Sequence, residues 1–464
     1  MSSRSSHRKA EDQRPSAQPC QVQTENQGTD RFLADRKVKK KRGFPNHTSE
    51  SIDRHKYTDL AVALSVGLYV VGRCGLKTTS RIIEFLDSLL NLCLPEIPCA
   101  NSIKNWVEKS GYSIYKEPKS ALSENGYAEI FDECMMIGSE KLLLTLGVPA
   151  EKEGDNFLTT NDVEVLSIDV KKSWNSETIG AVLDSIETSL GASPRYVISD
   201  NASTLTKTVR DKEYTHIRDV SHTFALFMER EYKNDKDFQQ FNKEIAGVKF
   251  REIMRPSAYL LPPKQRTIAR FMNLGSVIDW AEKILKSFHR LTAEEQDLFR
   301  FLFNYSEMIA GFQELLKQLD YVSKHLKKNG LSSKNATVCI NEMEKLLSSA
   351  DRKIVSVAQS CIVYLTEESN KLATEESRWH TSSDIIESLF GNYKDRKSPN
   401  PLNGVTKQVL LLPVLTKTDS NTHTVDICFK KALEGVFLKD LEQWKDDNLS
   451  DNLVVKRRKI LKAS

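Results

Sequence analysis

Apolar and polar positions change period several times along this chain, and the changes divide it. Residues 1–48 carry few large apolar side chains among many Ser, Gln, Arg and Lys, a composition that predicts a disordered tail. Between 57 and 115 apolar residues recur at helical spacing and predict three helices. The first is YTDLAVALSVGLYVVGRC (57–74). The second is KTTSRIIEFLDSLLNLCL (77–94), opened by a Thr-Thr-Ser cap and carrying Ile82, Ile83, Phe85, Leu86, Leu89 and Leu90 as its apolar face. The third lies within 95–115, with Ile103, Trp106 and Val107 inward and Lys104, Asn105 and Lys109 outward. Gly111 is expected to stop it. Two helices, a turn and a short third helix with polar outward residues describe a helix-turn-helix, or equally an ordinary three-helix packing unit.

From residue 126 the pattern becomes strand-like. Apolar runs at 126–135, 140–148, 163–170, 195–200 and 216–220 predict five strands. A helix over 176–191 separates the third from the fourth, and a short one around 202–211 separates the fourth from the fifth. The order β-β-β-α-β-α-β predicts an antiparallel meander extended in parallel through helical crossovers. Residues 223–375 read as helix almost throughout, in the segments 224–254, 274–291, 292–330 and 333–369, without a fixed repeat. Helical spacing returns in SSDIIESLFGNYKDR (382–396). The tail from 401 contains VTKQVLLLPVL (405–415) and a stretch over 423–448 that reads as one helix packed on the core.

The overall balance of 39% hydrophobic and 28% charged residues in 464 is ordinary for a globular protein of two or three domains. Net charge is only +4, yet residues 1–56 hold 13 Lys/Arg against 7 Asp/Glu. Their run Lys37, Lys39, Lys40, Lys41, Arg42 suits a phosphate backbone, as does the cluster Lys456 to Lys459. A solvated tail is the plainer alternative. Eight cysteines without a CxxC or a zinc spacing read as reduced and mostly buried, which suits a cytoplasmic protein. No signal peptide and no membrane span are expected.

Three carboxylates stand out. Asp132 lies inside the first strand run, Asp200 ends the fourth, and Glu387 sits on the returning helix among Ile385, Ile386, Leu389 and Phe390. A carboxylate in a buried strand is costly unless a metal or partner neutralises it. Two strand aspartates and a helix glutamate make an oxygen-only site for two divalent metals. Each also has a simpler reading, as turn former or helix cap. Glu133 alternates to the opposite face of its strand and reads as solvated or salt-bridged. Asp384 shares a face with Glu387 and reads as a cap. His222 could orient a metal-bound water or phosphate, or serve as a helix-start histidine. Trp379 could stack on a base or pack in the core.

Three segments together carry a resemblance. DxxxxxGxxKxLxxLGV is matched by Asp132, Gly138, Lys141, Leu143, Leu146, Gly147 and Val148; SDN by Ser199, Asp200 and Asn201; and IIESLFGxYK by Ile385 through Gly391, Tyr393 and Lys394. They resemble the DDE transposases of bacterial insertion sequences, in the RNase H-like, retroviral-integrase superfamily. The resemblance implies an α/β RNase H-like catalytic core with a large all-α insertion, preceded by a helix-turn-helix domain. The implied divisions are a tail at 1–48, an end-binding domain at 49–118, core at 119–222, insertion at 223–375, core completion at 376–400 and a helical tail at 401–464. It implies cleavage and joining of double-stranded DNA at transposon ends and target, by Asp132, Asp200 and Glu387 with two Mg²⁺ or Mn²⁺ ions. A homodimer or higher synaptic complex in the nucleoid follows from pairing two ends. DNA contacts would fall to Lys104, Asn105, Lys109, Lys394 and the basic run Lys39, Lys40, Lys41 and Arg42. Lys394 stands seven residues after Glu387, as in one large transposase group, but His380 and Ser383 replace the Tyr and Arg of that pattern. A catalytically inactive, DNA-binding descendant of such an enzyme is the alternative, and a purely helical scaffold a more distant one.

Overall fold

The computed structural model describes residues 51–92, 94–133, 137–264, 271–398, 400–419, 422–451 and 453–462. The disordered-tail expectation, the basic run Lys39 to Arg42, and Cys20, Cys93 and Cys134 lie outside these residues. Three helices open the described chain: α1 (Asp59–Val70), α2 (Leu76–Leu90) and α3 (Ala100–Lys116). Thr58 caps α1 by accepting from the Ala61 N–H, and Asn91 closes α2 at φ 54°. A short α4 (Ser120–Asn125) leads into the sheet strands β1 (Tyr127–Glu133), β2 (Lys141–Pro149) and β3 (Glu164–Lys171). Then follow α5 (Ser176–Leu190), β4 (Tyr196–Ser199), α6 (Ser203–Asp211) and β5 (His216–Arg218).

The five strands form one mixed sheet in the order β3-β2-β1-β4-β5. β1, β2 and β3 pair antiparallel, while β4 and β5 add in parallel to β1. Gly138, at φ 67°, lies in the connection between β1 and β2, where an L side chain would be strained. Strand alternation builds two cores. Phe131, Leu143 and Val197 face α5 and α6, joining Ile179, Leu183, Leu205 and Val209. Ala128, Ile130, Leu144, Leu146 and Ile198 face the other way, into the main core.

Beyond β5 the chain is helical: α7 (Val220–Tyr232), α8 (Lys236–Glu252), α9 (Leu274–Ser287), α10 (Ala293–Phe299), α11 (Ser306–Asn329), α12 (Ser333–Glu344) and α13 (Arg352–Ser369). Continuous sequence runs break where caps intervene. Asp235 caps α8 within the run over 224–254 and Asp351 caps α13 within that over 333–369, while Thr292 opens the run over 292–330 with a capping box on α10. The block is fastened to β5 by Arg218, whose Nε and Nη2 reach Glu368 and Glu367 on α13 at 2.6 and 2.7 Å. The chain then returns to the sheet in α14 (Asp384–Lys394), whose Ile386, Leu389 and Phe390 join the main core.

The C-terminal stretch departs from expectation. In place of one helix over 423–448 it has α15 (Leu411–Leu415), a hairpin of β6 (Thr418–Asp419) and β7 (Thr424–Val425), α16 (Phe429–Gly435), α17 (Leu438–Asn448) and α18 (Leu453–Lys462). α15, α16 and α17 pack on α3. This packing corrects two expectations. Gly111 does not stop α3; the helix runs on to Lys116. A Cβ there would stand 1.7 Å from the Leu410 carbonyl oxygen, so glycine is set by close approach of two backbones. Lys109 is not outward but buried, with its Nζ donating to the Leu433 carbonyl at 3.4 Å. A third correction concerns α2: Phe85, Leu89 and Leu90 are exposed, because α1 and α3 bury only its Thr79 and Ile83 side. Of the five described cysteines all are free, but only Cys339 and Cys361 are buried. Among the described residues no helix is long and apolar enough to cross a membrane.

Candidate functional site: carboxylates at the end of the parallel strands

Strand register brings the two aspartates together. On parallel β1 and β4, Ala128 pairs with Tyr196 and Ile130 with Ile198. Two residues further, on the same face, this register sets Asp132 beside Asp200. Neighbouring strands lie about 4.8 Å apart. Glu133 points to the other face, where its Oε1 meets Lys141 Nζ at 2.7 Å. The aspartates thus lie at the carboxyl ends of the parallel strands, on the face that α14 covers. In open α/β sheets this is where ligands bind.

Glu387 arrives from 187 residues beyond Asp200. A series of bonds guides the returning chain. Lys152 N–H donates to the Arg378 carbonyl at 2.7 Å, and His380 N–H to the Tyr196 hydroxyl at 2.9 Å. Val220 N–H donates to the Thr381 carbonyl at 3.1 Å. Trp379 stacks on Tyr196 with ring centroids 4.3 Å apart and is 3% exposed, so it belongs to the core. Asp219 is fully buried and does two things at once. Its Oδ1 accepts the His222 N–H at 2.8 Å, capping α7, and its Oδ2 accepts the N–H and hydroxyl of Ser383 at 2.7 and 3.0 Å.

One turn further along each helix, His222 and Glu387 meet, Nε2 to Oε1, at 3.0 Å. The imidazole also feels Asp132 and Asp200. Burial lowers its pKa, but the Glu387 hydrogen bond and the charges of Asp219, Glu387 and Asp200 outweigh this and raise it to about 9. His222 is therefore an imidazolium at neutral pH. Asp132 is pushed up to about 7, first by burial and then by Asp200, with Glu387 adding and His222 opposing. Burial, Asp219 and Glu133 raise Asp200 against its bond from the Ala202 N–H at 2.8 Å and the pull of His222. These are the signs of crowded negative charge held by one internal cation.

The remaining expected site residues are placed as follows. Asp384 is the first residue of α14 and pairs with Lys327. Lys394 is half-buried, with its Nζ over the Phe390 ring at 5.7 Å. Lys104 is exposed and pairs with Glu108 at 3.6 Å, while Asn105 is half-buried. Lys104, Asn105 and Lys109 belong to α3, apart from the carboxylate cluster, whereas Lys394 shares α14 with Glu387.

Among the described residues, no group of three or more His, Cys, Asp or Glu side chains is arranged to hold a metal ion as it stands. The donor chemistry nonetheless suits a divalent cation. Asp132, Asp200 and Glu387 offer hard oxygens, and the half-buried Asp132 carboxyl carries a charge that its surroundings penalise. No model of a known protein family matches this chain, and no curated protein matches it.

Proposed function

We propose that the chain is a DDE-type DNA transposase with an RNase H-like core, cutting and joining DNA strands with divalent metal ions. The observation that carries this reading is the register that sets Asp132 beside Asp200 under the helix bearing Glu387. Those three residues would hold Mg²⁺ or Mn²⁺. When bound, such ions activate a water or 3′-hydroxyl and stabilise the leaving 3′-oxygen. The chain's own side chains do the rest. Asp132 and Asp200 present oxygens from rigid strands, so little ordering is left to ligand binding. His222 holds the Glu387 carboxylate in place at 3.0 Å and stands as a proton donor beside it. Lys394, on the same face of α14 two turns on, would meet a DNA phosphate.

End recognition is assigned to the α1–α3 unit, with the exposed Lys104 and the half-buried Asn105 at the amino-terminal half of α3. Lys109 drops out of this set because it is buried. Pairing of two ends implies a dimer or larger synaptic assembly.

The test is nicking of supercoiled plasmid. The full chain with Mg²⁺ or Mn²⁺ is expected to convert it to open circles. Asp132→Asn, Asp200→Asn and Glu387→Gln are each expected to reduce this by at least about 10³-fold, since metal activation supplies several kcal/mol. Cleavage undiminished in all three variants would refute the reading.

A further inference from the structure

We infer that Asp219 is a positioning residue that sets the phase of α14, and so delivers Glu387 to the two strand aspartates. The inference rests on the proposed function for what Glu387 is delivered to, but its geometry stands apart from it. A helix is placed in space by its first turn, because every later side chain follows at about 100° per residue. The entry into α14 is fixed by three bonds to the β5–α7 junction. Ser383 gives both its N–H and its hydroxyl to Asp219 Oδ2, and Thr381 gives its carbonyl to Val220 N–H. The same carboxylate fixes α7 through the His222 N–H. One buried side chain thereby phases two helices that are remote in sequence, and their next turns meet at the His222–Glu387 contact.

Ser383 has no side-chain bond of its own to cap α14, so its hydroxyl is spent on this tie. The neighbouring Asp384 is drawn outward to Lys327 on α11, which leaves Glu387 as the α14 carboxylate turned toward His222. Asp219 itself need not touch metal or DNA: its two oxygens are taken by three protein donors. A carboxylate is needed because both oxygens must accept. Asparagine of the same shape would set an NH₂ against one of the donors.

Two measurements on the full chain test this. Hydrogen exchange without metal reads the tie directly. Asp219→Asn and Ser383→Ala are expected to speed exchange across 381–390, and Ser383→Thr, which keeps the hydroxyl, to restore it. Mn²⁺ binding followed by electron paramagnetic resonance reads the consequence. Both disrupting variants should weaken binding about tenfold, in the range seen when residues that orient metal ligands are removed, with Ser383→Thr close to the parent. Should Asp219→Asn fail to fold, Ser383→Ala carries the test. Unchanged exchange in Ser383→Ala overturns the clamp whatever the metal result. Parent-like Mn²⁺ binding in Ser383→Ala alongside loss of binding in Asp132→Asn also overturns it. Parent-like binding in Asp132→Asn overturns the proposed function instead, and the exchange result then decides the clamp alone.

Discussion

At the scale of single residues, the carboxylate cluster is one of the places where the molecule holds unfavourable charge, and buried Glu129, pushed up to about 8, is another. Asp132 holds a proton up to about 7 against 3.8 for a free aspartate, and His222 holds one up to about 9 against 6.5. Both bind protons more tightly folded than unfolded. The stability each contributes is complete below the unfolded value and lost as pH rises to the folded one. For Asp132 the loss runs between about pH 4 and 7, and for His222 between about 6.5 and 9. Without metal, the melting temperature is therefore expected to fall steadily from pH 6 to 9. His222→Ala should flatten the part above pH 8, beyond the range in which buried Glu129, pushed up to about 8, still contributes. A melting temperature that rises over this range contradicts the assignment. Asp132→Asn, measured at pH 8 without metal, should raise the melting temperature by about 1–3 °C, because an ionised, half-buried carboxylate beside Asp200 is removed. Divalent metal should stabilise the parent and leave this variant unmoved.

At the scale of elements, glycine positions separate two kinds of constraint. Gly111→Ala forces a Cβ to 1.7 Å from the Leu410 carbonyl oxygen, so α3 and the 407–415 segment must separate. A cost of about 3 kcal/mol or more is expected, read by chemical denaturation. Gly391, in α14, has nothing within 4 Å of a new Cβ. Gly391→Ala is expected to stabilise by about 0.5–1 kcal/mol through helix propensity alone. Equal effects of the two substitutions would contradict the packing described. The contrast also marks what the sequence could reveal. Strand order and the pairing of Asp132 with Asp200 were legible, because apolar runs, crossover lengths and alternation are local signals. That Glu133 alternates away from the site followed from the same period of two. Lys109, Gly111 and the exposed Phe85 depart from the local pattern because Lys109 and Gly111 meet Leu433 and Leu410 far along the chain, while Phe85 meets no covering element among the described residues. Gly111 looked like a helix stop since an isolated helical glycine gives the same local pattern. His222 was visible as a candidate, whereas the cap that Asp219 places on α7 was not read from the sequence. The bond from Asp219 to Ser383, 164 residues on, had no local signature.

For the whole molecule, the amino- and carboxyl-terminal stretches form one packed body around α3. Trp106 and Ile114 of α3 share a core with Leu411, Leu412, Phe429 and Trp444. Residues 49–118 expressed alone should therefore lack a cooperative thermal transition. A fragment that melts cooperatively and binds DNA on its own would show that the C-terminal wrapping is dispensable. The helical block from α7 to α13 is closed onto the sheet at Arg218 and at the 378–383 return. Loop-closure cost grows only logarithmically with length, so a long excursion between Asp200 and Glu387 is thermodynamically acceptable. The central claim is that this return completes a metal site. The most direct measurement is a crystal structure of the full chain soaked in Mn²⁺, with data collected at the manganese absorption edge. An anomalous peak is expected between Asp132 and Asp200, within reach of Glu387. Contradiction would come from a fully occupied Mn²⁺ elsewhere on the protein, with no peak at the carboxylates.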